Sequence, residues 1–176
     1  ASGGVGLIAS QWARALGARV IGVVGSAEKA ALAKKHGCHH VVVGIDELGA
    51  RVRKLNKGKG ADVVYDGTGK DTLFASLDCL RPRGIMVSFG NSSGPVAPFA
   101  PLELAKRGSL YFTRAGGGDY LADHNARQSG TRELFALVKQ KKIRVHIGQR
   151  YPLAEAARAH ADLEARRTIG STVLLP

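Results

Sequence analysis

Short apolar runs and helical stretches alternate along nearly the whole chain in units of about 25 residues, and this constrains the fold more than any other feature. A run of five or six apolar residues is too short for a helix. Set between helices, it reads as a strand buried on both faces of a parallel sheet. Val5, Ile8, Ala9, Trp12 and Leu16 recur at helical spacing before Gly17, which predicts a helix over residues 4–16. A strand is predicted over 19–24, and Ser26 then caps a helix over 27–35 that stops before Gly37. The cycle repeats with a strand over 39–43, a helix carrying Leu48, Val52 and Leu55, a strand over 61–66, a helix carrying Leu73, Leu77 and Leu80, and a strand over 85–89.

Residues 90–101 are rich in Gly, Ser, Asn and Pro and read as a loop, followed by a short helix over 102–106 and a strand over 109–113. Beyond Gly116-Gly117-Gly118 the pattern loosens. A helix is predicted near 131–141, a short strand over 145–149, a helix over 152–165 and a last strand over 171–175. Chained βαβ crossovers pack as a parallel sheet with helices on both faces. The expected fold is therefore α/β, a Rossmann-type doubly wound parallel sheet over residues 1–176. The strand that should precede the first glycine turn is missing from it.

The chain carries 26 Lys and Arg against 14 Asp and Glu, a net charge of +12. Such a balance attracts nucleic acid, acidic membranes or phosphorylated ligands without choosing among them. The basic residues are spread out, with local clusters at 51–59 and 139–144 that read as solvated helix ends and turns. Cys38 and Cys79 lie far apart with no metal or redox spacing, so neither a disulfide scaffold nor a zinc cluster is indicated, and a reducing, cytoplasmic setting fits. No apolar run approaches the roughly 18 residues a membrane helix needs, and no membrane association is expected. The first residue is Ala1, already inside a glycine motif, so the chain is expected to begin within a longer one.

The chemistry begins at Ala1-Ser2-Gly3-Gly4-Val5-Gly6, a G-x-G-x-x-G shape with alanine in its first place. In that motif Gly3 lets the backbone approach a pyrophosphate, Gly6 lets the helix pack closely, and phosphate oxygens sit at the helix N-terminus. About 20 residues on, an NAD site places an acidic residue on the ribose 2′-hydroxyl. Gly25 and Ser26 stand there instead, with Lys29 one turn on, which favours NADP(H). Later strands end in Asp66-Gly67-Thr68-Gly69 and in Phe89-Gly90-Asn91-Ser92-Ser93-Gly94, small polar loops suited to the nicotinamide end. Tyr65 and Asp66 read only as strand-end residues, and no histidine has a metal-ligand spacing.

Five segments together resemble the zinc-free quinone oxidoreductases, the zeta-crystallin-like branch of the medium-chain dehydrogenase/reductase superfamily. They are A-S-G-G-V-G-L-I-A-S-Q-W-A, G-S-A-E-K with A-K-K-H-G after it, V-V-Y-D-G-T-G-K-D-T, S-L-D-C-L-R-P-R-G-I-M-V-S-F-G-N-S-S-G and G-S-L-Y-F-T-R. The resemblance covers essentially the whole chain. It implies a cofactor-binding domain that follows a GroES-like β-domain, and hydride transfer from NADPH to a quinone or related enone. This chain alone is expected to be inactive.

By position, the resemblance implies that Ser2, Gly3, Gly4, Val5 and Gly6 hold the pyrophosphate. It likewise implies that Gly25, Ser26 and Lys29 hold the 2′-phosphate, that Thr68, Phe89, Gly90, Asn91 and Ser92 line the nicotinamide side, and that Arg166, near the C-terminal strand, is a further cofactor contact. No catalytic acid or base and no metal ligand is assigned, because the cofactor carries the hydride. The family often has a tyrosine after its third strand where this chain has Gly44, so a stacking contact is expected to be lost and affinity weakened. Family members usually pair through sheet edges, which implies a homodimer. Some bind RNA, but no aromatic platform accompanies the basic residues here, so a basic RNA-binding role is the alternative and nucleic acid is not the expected partner.

Overall fold

The computed structural model describes residues 1–176. In chain order its elements are α1 (Gly4–Ala15), β1 (Ile21–Val24), α2 (Ala27–Lys35), β2 (His40–Val43), α3 (Leu48–Leu55), β3 (Ala61–Asp66), α4 (Leu73–Asp78) and β4 (Leu80–Ser88). They continue with α5 (Leu102–Lys106), β5 (Tyr111–Arg114), α6 (Gly117–Leu121), α7 (His124–Lys139), β6 (Ile147–Pro152), a 3-10 turn (Leu153–Glu155), α8 (Ala156–Glu164) and β7 (Ser171–Leu175). Two compact units result, one of residues 1–43 with 130–176 and the other of residues 44–129.

In the first unit, β1 pairs with β2 and β6 with β7, both in parallel. The strands form three parallel sheets, and the edge of β1 away from β2 has no strand neighbour, the gap expected beside the glycine turn. Ala1 takes part of that edge, its amino group donating to the Val23 carbonyl at 2.7 Å. β1 alternates half-buried and buried residues, so it is not buried on both faces as expected. The apolar stripe read for α1 also differs. Val5 and Leu16 are exposed, while Leu7, Ser10 and Gln11 face inward. Gln11 explains the inversion: its side-chain amide donates to the carbonyls of Leu7 (2.9 Å) and Arg144 (3.1 Å), and its oxygen accepts the Arg144 N–H at 2.9 Å. A polar residue can face inward when each of its groups is paired in this way.

The second unit has the parallel order β3-β4-β5. Leu73, Leu77, Leu80, Met86 and Leu110 form its core, with Val64 and Phe112 packed against them. Each fully buried leucine contributes about 1.5–3 kcal/mol. Leu80 was expected to close the helix carrying Leu73 and Leu77 but opens β4 opposite Ala61. The ladder then jumps to Val63 opposite Ile85, leaving residues 81–84 as a bulge with Arg83 at φ +58. Pro82 and Arg83 thus form an irregularity inside one strand. Helix α7 begins at His124, seven residues before its predicted start. Asp123 accounts for this, because its Oδ1 accepts the Asn125 N–H at 2.8 Å in the manner of a helix cap.

Candidate functional site

In the first unit the glycine turn leads from Ala1 into α1. Gly3 is the residue before the helix (φ −78, ψ 170). No side chain caps its N-terminus, and no acidic residue occupies its first turn. The turn is fixed from one side: the Ser2 carbonyl accepts the Gly170 N–H at 3.0 Å, and Gly3 bridges Gly170 in parallel. A Cβ added at Gly6 would lie 2.9 Å from the Ala1 Cα, and one at Gly4 would lie 2.9 Å from Ser171 Oγ. A Cβ at Gly3 would meet nothing within 4 Å. Packing within the protein therefore accounts for glycine at positions 4 and 6 but not at 3. Val5 is exposed beside them. An uncapped helix start with a bare glycine before it offers N–H groups and a positive dipole end to an anion.

At the end of β1, Gly25 has open space around its Cα, and Ser26 caps α2, its Oγ accepting the Lys29 N–H at 3.5 Å. Lys29 Nζ donates to the Arg166 carbonyl at 3.2 Å, which joins residues 137 positions apart in sequence. Ser26, Lys29 and Arg166 are thus brought to one place. Arg166 lies in the left-handed region (φ +57). Next to it, Arg167 binds Asp162 through Nε (2.8 Å) and Nη2 (2.6 Å), and Tyr151 donates to the same carboxylate at 2.7 Å. These donors hold the Asp162 carboxyl below the ordinary carboxylate range, the Tyr151 hydrogen bond being the largest cause, and the same bond raises the Tyr151 hydroxyl. Gly44, which follows β2, has φ +76 and open space at its Cα. A tyrosine at this position would adopt a strained backbone.

In the second unit the loops after β3 and β4 interlock. The Asp66 carbonyl accepts the Phe89 N–H at 2.9 Å, the Gly67 carbonyl the Ser92 N–H at 3.2 Å, and the Thr68 carbonyl both the N–H and the hydroxyl of Ser93 at 2.9 Å. The Phe89 ring lies so close to Gly67 that a Cβ there would be 2.8 Å from Cζ, and a Cβ at Gly90 would be 2.5 Å from the Gly67 oxygen. Thr68 and Gly90 are half-buried, Phe89, Asn91 and Ser92 exposed. These five predicted residues therefore share one edge of the second unit. Sequence reading passed over the group beneath them. Asp66 is buried, and its carboxylate receives the N–H groups of Thr68 and Gly69 and the hydroxyls of Thr72 and Ser76. The signal available was an aspartate followed by Gly-x-Gly, since aspartate readily binds the backbone two residues on.

No three His, Cys, Asp or Glu side chains converge anywhere in the chain. Both cysteines are buried and unpaired, and burial pushes the Cys79 thiol up to about 12. No helix is long and apolar enough to cross a membrane.

The family model for zinc-binding dehydrogenases matches residues 4–128. A quinone oxidoreductase of Pseudomonas aeruginosa is 52% identical over 177 residues, all of this chain and 54% of its own length. A 2-haloacrylate reductase of Burkholderia sp is 46% identical, again over all of this chain and 54% of its own. The solved structure of Escherichia coli quinone oxidoreductase complexed with NADPH superposes with a TM-score of 0.93 at 47% identity, over 99% of this chain and 55% of that one. The chain spans about half the length of the curated relatives it matches.

Proposed function

Because the chain belongs to the zinc-binding dehydrogenase family, we propose that it is the cofactor-holding part of an NADPH-dependent oxidoreductase acting on a quinone or related enone. The observation that carries this reading is the Ser26, Lys29 and Arg166 cluster. A strand ends there in Gly25-Ser26, where an NAD site would carry an acidic residue, and an ammonium is held over the place by a distant backbone carbonyl. A 2′-phosphate would find a hydroxyl, a helix start and cationic side chains there. The uncapped start of α1 would take the pyrophosphate on the backbone of residues 2–6, and the bare face of Gly3 is where a phosphate could come closest. Thr68, Phe89, Gly90, Asn91 and Ser92 would orient the nicotinamide end.

The bound cofactor supplies hydride, and the protein's part is to hold and align it. No step is assigned to zinc, since the residues of this chain do not bring together a ligand set for one. Relatives named for quinones and for a haloacrylate share a substrate type, an electron-poor double bond conjugated to a carbonyl or carboxylate, which suits hydride attack. A homodimer joined through sheet edges and a cytoplasmic setting belong to the same reading. The test is calorimetric titration of the full-length protein with NADPH and NADH in parallel, followed by NADPH oxidation with 1,4-benzoquinone. Binding of NADPH at least tenfold tighter than NADH, lost in Lys29→Ala, is expected. Equal affinity for the two, or no binding, overturns the reading.

A further inference from the structure

We infer that Asp66 is a positioning residue for the nicotinamide-side loops, an inference that rests on the reading just given. Its carboxylate is the hub on which both loops are built. Oδ1 receives the N–H groups of Thr68 at 2.7 Å and Gly69 at 3.0 Å, and Oδ2 receives the hydroxyls of Thr72 at 2.6 Å and Ser76 at 2.7 Å. All four contacts are donors directed at the carboxylate, so its acceptor sites are filled and none remains to take a proton from a substrate. Asp66 therefore acts through other residues and does not touch the reacting atoms itself.

Its effect can be followed atom by atom. Turning the Thr68 and Gly69 N–H groups inward directs the carbonyls of Gly67 and Thr68 the other way, toward the second loop. Those carbonyls are the ones that take Ser92 and Ser93. Ser93 Oγ in turn accepts the Asp71 N–H at 3.0 Å, which closes the circuit back to the first loop. Gly69, at φ +90, lets the chain reverse there, and a Cβ on it would lie 2.9 Å from the Gly94 oxygen. Thr68 itself is half-buried at the rim of these loops. The carboxylate thus fixes the backbone of 67–69, that backbone fixes 92–94, and Thr68, Asn91 and Ser92 are presented at set positions. Alignment of this kind acts on the rate of the chemical step, because a misplacement of about 1 Å can cost on the order of a hundredfold.

The experiment compares Asp66→Asn, Ser76→Ala and, as a control outside the site, Asp62→Asn, an exposed carboxylate paired only with Arg81 among the ion pairs, in the full-length protein. NADPH affinity is measured by calorimetry, and turnover with 1,4-benzoquinone is measured with NADPH and with NADPH deuterated at C4. Asn keeps the shape but turns a donor toward donors. Asp66→Asn is expected to lower kcat about tenfold or more while NADPH affinity changes less than about threefold, with a larger deuterium isotope effect as hydride transfer becomes limiting. Ser76→Ala should shift both in the same direction by less, and Asp62→Asn should match wild type. Wild-type kcat and isotope effect in Asp66→Asn overturn the role of Asp66, even if the variant melts earlier. A wild-type protein that neither binds nor oxidises NADPH overturns the reading of the site itself. Should Asp66→Asn fail to fold, Ser76→Ala and Thr72→Val, which keep the carboxylate, carry the same split between kcat and affinity.

Discussion

The glycine turn of residues 2–6 and the loop of residues 66–69 meet opposite demands. The turn leaves a helix start without a side-chain cap and open space where a Gly3 side chain would stand, and in the proposed reading its N–H groups are kept for a phosphate. The loop spends its N–H groups on its own Asp66 and its carbonyls on its neighbour, so it is complete without a ligand. The difference separates two tasks. Unsatisfied groups give affinity, and satisfied ones give alignment, which is why the same small, glycine-rich composition can serve both.

The largest expected effect comes from removing the hub of the satisfied loop. Asp66→Ala leaves two N–H groups and two hydroxyls facing a cavity, at a cost on the order of 3 kcal/mol or more, since each unsatisfied buried donor costs about 1–3 kcal/mol. Chemical denaturation of wild type and variant would measure it. A loss under about 1 kcal/mol would mean that the loop is held by its neighbour and not by the carboxylate.

Within the open turn, the same comparison can be made between two glycines. Gly6→Ala places a methyl 2.9 Å from the Ala1 backbone and should destabilise by about 1–3 kcal/mol, as overpacking does. Gly3→Ala has empty space and an ordinary φ, so stability should stay within about 0.5 kcal/mol while NADPH affinity falls several-fold. Thermal melts and titration of both variants check this. If Gly3→Ala binds NADPH as wild type does, the bare face of Gly3 serves no ligand.

Ser26 stands between the two cases, half-buried and serving as a cap while in the proposed reading it also takes the 2′-phosphate. Ser26→Ala should cost about 0.5–1 kcal/mol, toward the low end because its hydrogen bond is long at 3.5 Å. Its larger consequence should be a reduced preference for NADPH over NADH, and parallel titrations would show whether selectivity or stability carries the change.

The legibility of the chain follows the same division. The alternation of elements, the cap at Ser26 and the break at 90–101 were readable because propensity and turn chemistry act locally. Helix α2 and the short helix α5 fall where the sequence puts them, and the solved E. coli oxidoreductase has the same fold over 99% of this chain. What sequence missed depends on distant partners. Nothing near Gln11 announces Arg144, so the inward face of α1 was misread. Thr72 and Ser76 lie six and ten residues beyond Asp66, and only the turn at Gly69 brings them back to it. The gap beside β1 was legible, since the glycine motif at residues 1–6 has no strand before it, but the amino group of Ala1 capping part of that edge was not.

The smallest effect sets one carboxylate against another. Asp66 is buried, whereas Asp162 takes its donors, Tyr151 and Arg167, at the protein surface beside Arg166. Its carboxyl is held below the ordinary value by the Tyr151 hydrogen bond first and Arg167 second, so this contribution is present above about pH 4 and fades as pH falls through the lowered value. Tyr151 is raised by the same bond. Its contribution is therefore complete below about pH 10 and is lost as pH rises through the raised value. Melting temperatures from pH 3 to 11, compared with those of Tyr151→Phe, should show a small loss of stability in the variant at neutral pH that narrows at both extremes. Solvent screens exposed pairs, so the gap should be far smaller than that of Asp66→Ala. A gap that stays constant across the range would show that Tyr151 contributes through packing and not through its bond to Asp162.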